Sequence, residues 1–175
     1  RREAPGDADV IRAVTAAAFA RPGQDVPAEA PLVDALRASP AWIAPLSMVA
    51  ADPDGDIVGH VLCTRGTVLC TRGTVRSAPV LALGPLSVRP GRQRRGVGSA
   101  LMHAVLGAAD ALGEPLVVLL GSASYYPRFG FRLASEYGVT PAHPEWAPHF
   151  QVRTLTAYDP AITGVFAYPE PFDRL

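Results

Sequence analysis

The stretch Leu83–Leu101, L-G-P-L-S-V-R-P-G-R-Q-R-R-G-V-G-S-A-L, gathers the side chains and bare backbone that an anion needs. Arg92, Arg94 and Arg95 supply three cations, while Gly96 and Gly98 let a ligand approach the main chain. Read as local structure, a strand ends at Val88, Pro90 stops it, and a helix opens near Gly98. The first amides of such a helix have no intrahelical acceptor and lie at the positive end of its dipole, which suits a pyrophosphate. Two other Gly-rich loops fit less well. A Walker loop needs Lys and then Ser or Thr after its last Gly, whereas Ser99-Ala100 follows Gly98 and the chain contains no Lys. A dinucleotide fingerprint needs G-x-G-x-x-G/A, and Leu101 stands where its third small residue belongs.

A second segment adds proton chemistry. Leu116–Leu120, L-V-V-L-L, is a short continuous apolar run of the kind that forms a buried parallel strand. Behind it comes Gly121–Phe131, G-S-A-S-Y-Y-P-R-F-G-F, with two adjacent phenols, Tyr125 and Tyr126. The Q-x-x-G-x-G spacing from Gln93 to Gly98 resembles the acyl-CoA signature of the GCN5-related N-acetyltransferase (GNAT) family. Tyr126-Pro-Arg-Phe-Gly130-Phe131, a Tyr four residues before a Gly-Phe pair, resembles the family's other signature. The two stand in the right order, about one helix apart. The resemblance runs from Arg2 to the end but is motif-specific only between Leu83 and Phe131. Its wording is most similar to a branch of bacterial predicted N-acetyltransferases.

That resemblance implies an α/β (α+β) fold: a mixed, mostly antiparallel central sheet of six to seven strands with helices on both faces. It also implies a splayed parallel strand pair that admits the pantetheine arm. Acetyl-CoA is then the cosubstrate, no metal is needed, and an amine attacks the thioester directly in a ternary complex. Gln93, Arg94, Arg95, Gly96, Val97, Gly98 and Ser99 would hold the pyrophosphate. Backbone at Leu86, Ser87 and Val88 would hold pantetheine and donate to the oxyanion. Tyr126 would be the general acid near the sulfur, with neighbouring Tyr125 able to exchange roles. With reference values of about 10 for a phenol and about 8.5 for a thiol, full proton transfer to the thiolate is uphill by roughly 2 kcal/mol. Hydrogen bonding to the thiolate therefore counts as much as protonation. Many members carry a Glu on the strand before the loop, but Leu81–Leu86 holds no carboxylate. A relayed water, Glu136 or Asp159 remain open as base. The acceptor is a primary amine of a small molecule or peptide. Two alternatives stay in view: an acyl-CoA-binding sensor of the same fold without turnover, and a nucleotide- or nucleic-acid-binding domain that uses the Arg loop.

Bulk properties narrow the field. At 175 residues, 49% of them hydrophobic, with sixteen acidic and sixteen basic side chains, the chain reads as a single soluble domain, 1–175. Charge balance argues against a broad nucleic-acid surface and makes Arg92–Arg95 a local phosphate site. Every basic residue is Arg, which with abundant Ala, Pro and Gly points to a GC-rich bacterial genome. No run approaches the ~18 apolar residues of a membrane span. No leader is visible either, and two Cys argue for thiols rather than a disulfide. A cytoplasmic protein with neither nucleic acid nor membrane as partner is expected; a homodimer stays open.

The elements that must position this chemistry follow from periodicity. Asp7 or Asp9 can cap a first helix carrying Val10, Ile11, Val14 and Phe19, and a second runs from about Ala28 to Arg37 with Leu32, Val33 and Leu36 inward. Ser47–Ala51 and Ile57–Thr64 read as a hairpin around Asp52–Asp56. Val80–Val88 is the central strand, and Gly84-Pro85 predicts a bulge there, because Pro donates nothing to a ladder. Gly98–Leu112 is the crossover helix, with Leu101, Val105, Ala108 and Leu112 inward and Gly113 as its C′ residue. Phe150–Thr156 and Gly164–Ala167 complete the sheet. His103 reads as solvated or capped, and the prolines in His143–His149 spoil a metal spacing. Val61–Thr67 is repeated perfectly as Val68–Thr74. Because seven is odd, one continuous strand would turn the second copy's side chains to the opposite faces. One copy is therefore expected in the sheet and the other extruded at the hairpin end.

Overall fold

The turn Asp52–Asp56 forms as its composition demands: the Asp52 carboxylate accepts from the amides of Asp54 and Asp56, at 3.2 and 3.1 Å. It joins β1 (Trp42–Ala51) to β2 (Ile57–Cys70). The protein is seen here as a computed structural model, which describes residues 1–23, 26–70 and 77–174. The further strands are β3 (Ser77–Val88), β4 (Leu116–Leu120), β5 (Arg132–Leu133), β6 (Val139–Pro141), β7 (Phe150–Thr154) and β8 (Gly164–Ala167). Their order is β5-β7-β4-β3-β2-β8-β6, with β1 pairing β2 off that path. The β3–β4 and β6–β8 registers are parallel, and those of β1–β2, β2–β8, β4–β7 and β5–β7 antiparallel. β5 and β6, two and three residues long, are too short for any pattern to mark. The chain forms two compact units: Arg1–Thr64 with Gly84–Ala108 and Glu170–Leu175, and Arg65–Leu83 with Ala109–Pro169.

In the first unit, α1 (Ala8–Phe19) and α2 (Glu29–Arg37) bury Ile11, Val14, Leu32, Val33 and Leu36 against Val49, Ile57 and Leu62. Asp7 precedes α1 but does not cap it, because its carboxylate accepts from the Ala4 amide at 2.7 Å and from Arg1. A buried polar chain that no periodicity signals sits beside this core. Ser47 Oγ donates to Glu3, and His60 Nε2 lies 2.9 Å from that hydroxyl oxygen. Arg37 Nε donates to Glu3 at 2.7 Å. Burial pushes the His60 imidazole below its ordinary value, against the upward pull of Glu3, so neutral His60 donates to Ser47.

α3 (Val97–Ala111) starts and stops one residue earlier than expected. It buries Leu101, Met102, Val105, Leu106 and Ala109, whereas Leu112, expected inward, is 50% exposed because it lies beyond the last helical turn. Gly113 does take the left-handed C′ conformation (φ 73°). Its amide donates to Asp110, and that of Glu114 to Ala109, closing the helix end in a Schellman arrangement.

β3 is the middle strand of the sheet order, as expected, and in the second unit alternate residues of β3, β4 and β7, such as Val80, Ala82, Leu116, Val118, Phe150 and Val152, form one core. The expected extrusion of one repeat copy is corrected. β2 continues through Val68–Cys70, which are registered with β8 from Val68↔Phe166 to Cys70↔Gly164. The odd period is tolerated because the first copy is covered on both faces, Val61, Leu62, Cys63 and Thr64 all being buried. The second copy alternates, with Val68 buried and Leu69 exposed. Residues 71–74 of that copy lie outside the described residues. The peptide Gly84-Pro85 is cis, and among the described residues the parallel β3–β4 register stops just before it, at Ala82↔Val118.

Candidate active site

The Gly- and Arg-rich loop of the first unit is built as its residue types dictate. Pro90–Arg92 makes one tight turn after β3, with the Arg92 amide donating to the Arg89 carbonyl at 2.8 Å. Arg94 and Gly96 then both take positive φ, 58° and 86°, a backbone of the kind that turns successive amides into an anion-binding concavity. The first i→i−4 bond of α3 is Ala100 N–H to Gly96 O at 2.9 Å, so the amides of Val97, Gly98 and Ser99 precede the ladder and have no helical acceptor. The loop is also pinned to the strand before it. Gln93 Nε2 donates to the Val88 carbonyl at 3.1 Å, and the Arg89 amide donates to Val58 O at 2.9 Å. Gly59 of β2 lets the helix start close in: a Cβ there would lie 3.0 Å from Val97 Cγ1 and Leu101 Cδ1.

The three arginines are not equivalent. Arg92 is held by the Asp52 carboxylate of the β1–β2 turn at 2.6 Å, so its charge is spent within the protein. Arg94 and Arg95 are exposed and have no side-chain partner among the described residues. Of the three cations expected at the loop, one is therefore already paired. Leu86 and Val88 are partly buried, and Ser87 is buried with its hydroxyl donating to Thr15 Oγ1 at 3.2 Å, which leaves this segment's main chain as what it can offer a ligand.

Tyr125 and Tyr126 belong to the second unit, where Tyr126–Phe129 forms a short 3-10 turn closed by Gly130 at φ 82°. The two phenols differ in surroundings. Arg128 stacks on the Tyr125 ring at 4.8 Å and donates from Nε to the Tyr125 carbonyl at 2.9 Å. Tyr126 is set edge-on to Tyr125 and Phe131, at 5.0 and 5.8 Å between ring centres. Burial, with a smaller contribution from Tyr125, pushes its hydroxyl up to about 12, so it is protonated throughout the neutral range. Among the described residues that hydroxyl has no hydrogen-bond partner. Two carboxylates considered for the base are engaged elsewhere in this unit: Glu136 pairs with Arg132 at 2.8 Å, and Asp159 accepts from the Ala161 amide at 2.8 Å. Among the described residues no three His, Cys, Asp or Glu side chains gather as a metal site. No described helix is long and apolar enough to cross a membrane.

The loop and the tyrosine pair are legible in the sequence, whereas Gly121 and Gln151, which meet Tyr126's surroundings, carry no motif. A Cβ on Gly121 would lie 2.9 Å from Tyr126 Cδ2, and Gln151 Nε2 donates to the Gly121 carbonyl at 3.1 Å. A glycine directly after an apolar strand was the signal available for the first. A polar residue inside the Phe150–Val152 strand was the signal for the second.

Comparison with known proteins matches this combination. Residues 1–134 fit the model of the acetyltransferase (GNAT) domain. The N-acetyltransferase YjhQ of Escherichia coli K12, itself uncharacterised, is 33% identical over 170 residues, covering 94% of this chain and 88% of YjhQ. The crystal structure of E. coli YhbS in complex with CoA superposes with a TM-score of 0.84 at 30% identity, covering 100% of this chain and 91% of that one. A GNAT acetyltransferase from Brucella melitensis in complex with acetyl-CoA gives 0.76 at 35% identity, covering 99% and 96%. The chain belongs to the GNAT family of N-acetyltransferases, and its mixed sheet and helices are the GNAT fold.

Proposed function

We propose that this protein transfers the acetyl group of acetyl-CoA directly to a primary amine of a small molecule or peptide. The observation that carries the reading is the Gln93–Ser99 loop: helix-start amides without helical acceptors beside two arginines that have no side-chain partner among the described residues, in a chain similar to proteins crystallised with CoA and acetyl-CoA. Those amides, with Arg94 and Arg95, bind the pyrophosphate, and backbone at Leu86, Ser87 and Val88 binds pantetheine and donates to the oxyanion. The amine nitrogen attacks the thioester carbon, the C–S bond breaks, and CoA departs as a thiolate while the amine gives up its proton to water or a base. Tyr126 serves that thiolate. With its hydroxyl at about 12 against about 8.5 for a thiol, complete proton transfer is uphill by about 5 kcal/mol, so Tyr126 acts first as a hydrogen-bond donor to developing negative charge. Tyr125, under Arg128, is the lesser candidate. No side chain is acylated, so neither Cys63, Cys70 nor Ser124 acts as nucleophile. A cytoplasmic location belongs to this reading, supported by two cysteines that form no disulfide.

The test is a thermal-shift titration with acetyl-CoA, CoA and ATP, followed by thiol release with a panel of primary amines. At ~100 times the dissociation constant, binding adds about 2.7 kcal/mol, a shift of very roughly 5–10 °C. A shift with both CoA species and little with ATP, then amine-dependent thiol release, is expected. No shift with either CoA species would overturn the reading. A shift without thiol release for any amine would favour an acyl-CoA sensor.

A further inference from the structure

We infer that Gly121 and Gln151 are positioning residues for Tyr126: the bare Cα of Gly121 seats the phenol ring, and the buried amide of Gln151 holds that seat in place. The inference rests on the role proposed above for Tyr126. Gly121 is the first residue after β4, opposite the start of β7, where the register runs Leu119↔Gln151 and Leu120↔Phe150. Two hydrogen bonds fix it from that side. Its N–H donates to the His149 carbonyl at 2.9 Å, and its own carbonyl accepts from Gln151 Nε2 at 3.1 Å. Gln151 is 2% exposed in a strand otherwise set by Phe150 and Val152, so an amide stands where an apolar side chain would cost less to bury. Its donor goes to the carbonyl of the residue beneath the tyrosine.

The ring has little room to adjust. A Cβ on Gly121 would press on two Tyr126 ring carbons, the farther one at 2.9 Å, and come within 3.3 Å of Leu119 Cδ1. Any side chain there must drive the ring away from β4, and Tyr125 and Phe131 stand at its edges. The hydroxyl at the far end of the ring then moves with it. Displacement by about 1 Å is enough to cost on the order of 100-fold in a reaction that depends on alignment. Gly121 and Gln151 touch the ring's seat and not the reacting atoms, so their effect must travel through the Tyr126 hydroxyl.

That requirement gives the test, a double-mutant cycle of Gly121→Ala with Tyr126→Phe. It is read as kcat and KM for acetyl-CoA by thiol release, with spermidine, tyramine and a lysine-containing tripeptide as acceptors. Gly121→Ala should lower kcat about 10- to 100-fold with KM for acetyl-CoA within about twofold of wild type. In the Tyr126→Phe background the same change should cost less than about threefold, because the hydroxyl it misplaces is already gone. Gln151→Met should show the same pattern more weakly, and it carries the cycle if Gly121→Ala lowers the melting temperature too far to assay. Effects of Gly121→Ala and Tyr126→Phe that multiply would overturn the positioning role while leaving Tyr126's own role intact. A Tyr126→Phe enzyme with unchanged kcat would instead remove the role of Tyr126, and the seat's purpose with it.

Discussion

Replacing Glu3 by Gln should flatten the acid limb of this protein's stability curve, and the size of the change follows from the buried Glu3–Ser47–His60 chain. Burial by itself would raise the Glu3 carboxyl. The neighbouring His60, hydrogen bonds from Arg37 and Ser47, and the Arg37 charge more than offset this and hold it at about 2 instead of 4.5. A carboxylate whose folded value lies below its unfolded one stabilises the fold above the unfolded value and loses that contribution as pH falls through the folded one. Glu3 therefore contributes about 3 kcal/mol at neutral pH, lost between pH 4.5 and about 2, with about 2 kcal/mol of it gone by pH 3. His60 is also lowered, by burial first, so its contribution is complete above 6.5 and declines as pH falls below that value. The His60 window opens at 6.5 and that of Glu3 only at 4.5, so the span from pH 7 to 5.5 reads His60. Urea unfolding of wild type, Glu3→Gln and His60→Asn is followed at pH 7, 5.5, 4 and 3 by far-ultraviolet circular dichroism. The other carboxylates, Asp7 among them, are common to all three proteins and cancel in the differences. Between pH 5.5 and 3, wild type should lose about 2 kcal/mol more than Glu3→Gln. His60→Asn should lose less than wild type between pH 7 and 5.5. Parallel curves for wild type and Glu3→Gln over pH 5.5 to 3 would refute the linkage.

Further outcomes follow from the same structure. Because burial holds the Tyr126 hydroxyl near 12, kcat should show no descending alkaline limb between pH 8 and 10; a limb there that disappears in Tyr126→Phe would contradict the assignment. Arg94→Gln and Arg95→Gln should each weaken CoA binding about 3- to 10-fold and flatten its salt dependence, whereas Arg92→Gln should weaken it less, since Asp52 already holds that guanidinium. Calorimetric titration at two salt concentrations separates these cases, and equal losses for all three would refute the distinction. Gly113→Ala should cost about 1 kcal/mol in urea unfolding, because Ala must take the left-handed conformation at φ 73° that closes α3. A neutral result would mean that the helix end relaxes.

What the sequence determined by itself is the part of the protein that obeys local rules. The Gly-Arg loop, the helix that opens after it, the Gly113 stop, the Asp52–Asp56 hairpin, Leu116–Leu120 and Gly164–Ala167 all depend on residues within a turn or two of each other. Their chemistry can therefore be read along the chain. The signature pair around Gln93 and Tyr126 belongs to this class, and so family membership was legible before any coordinates. What only the tertiary structure decided are relations between residues far apart in the chain. Arg92 and Arg94 look alike as letters, yet Asp52, forty positions away, pairs with one, while the other is exposed with no side-chain partner among the described residues. Tyr125 and Tyr126 are adjacent phenols that Arg128, Phe131 and Gly121 make unequal. The odd-numbered repeat poses a register problem legible in the sequence, but only the structure shows that the first copy is covered on both faces, which lets β2 run on through Val68–Cys70. Glu3, Ser47 and His60 lie on three separate segments, and their chain of hydrogen bonds forms because strand pairing sets Ser47 and His60 across from one another's neighbours. Local propensity specifies which elements form. Register and burial, which depend on every other element at once, specify which side chains meet and how each one titrates.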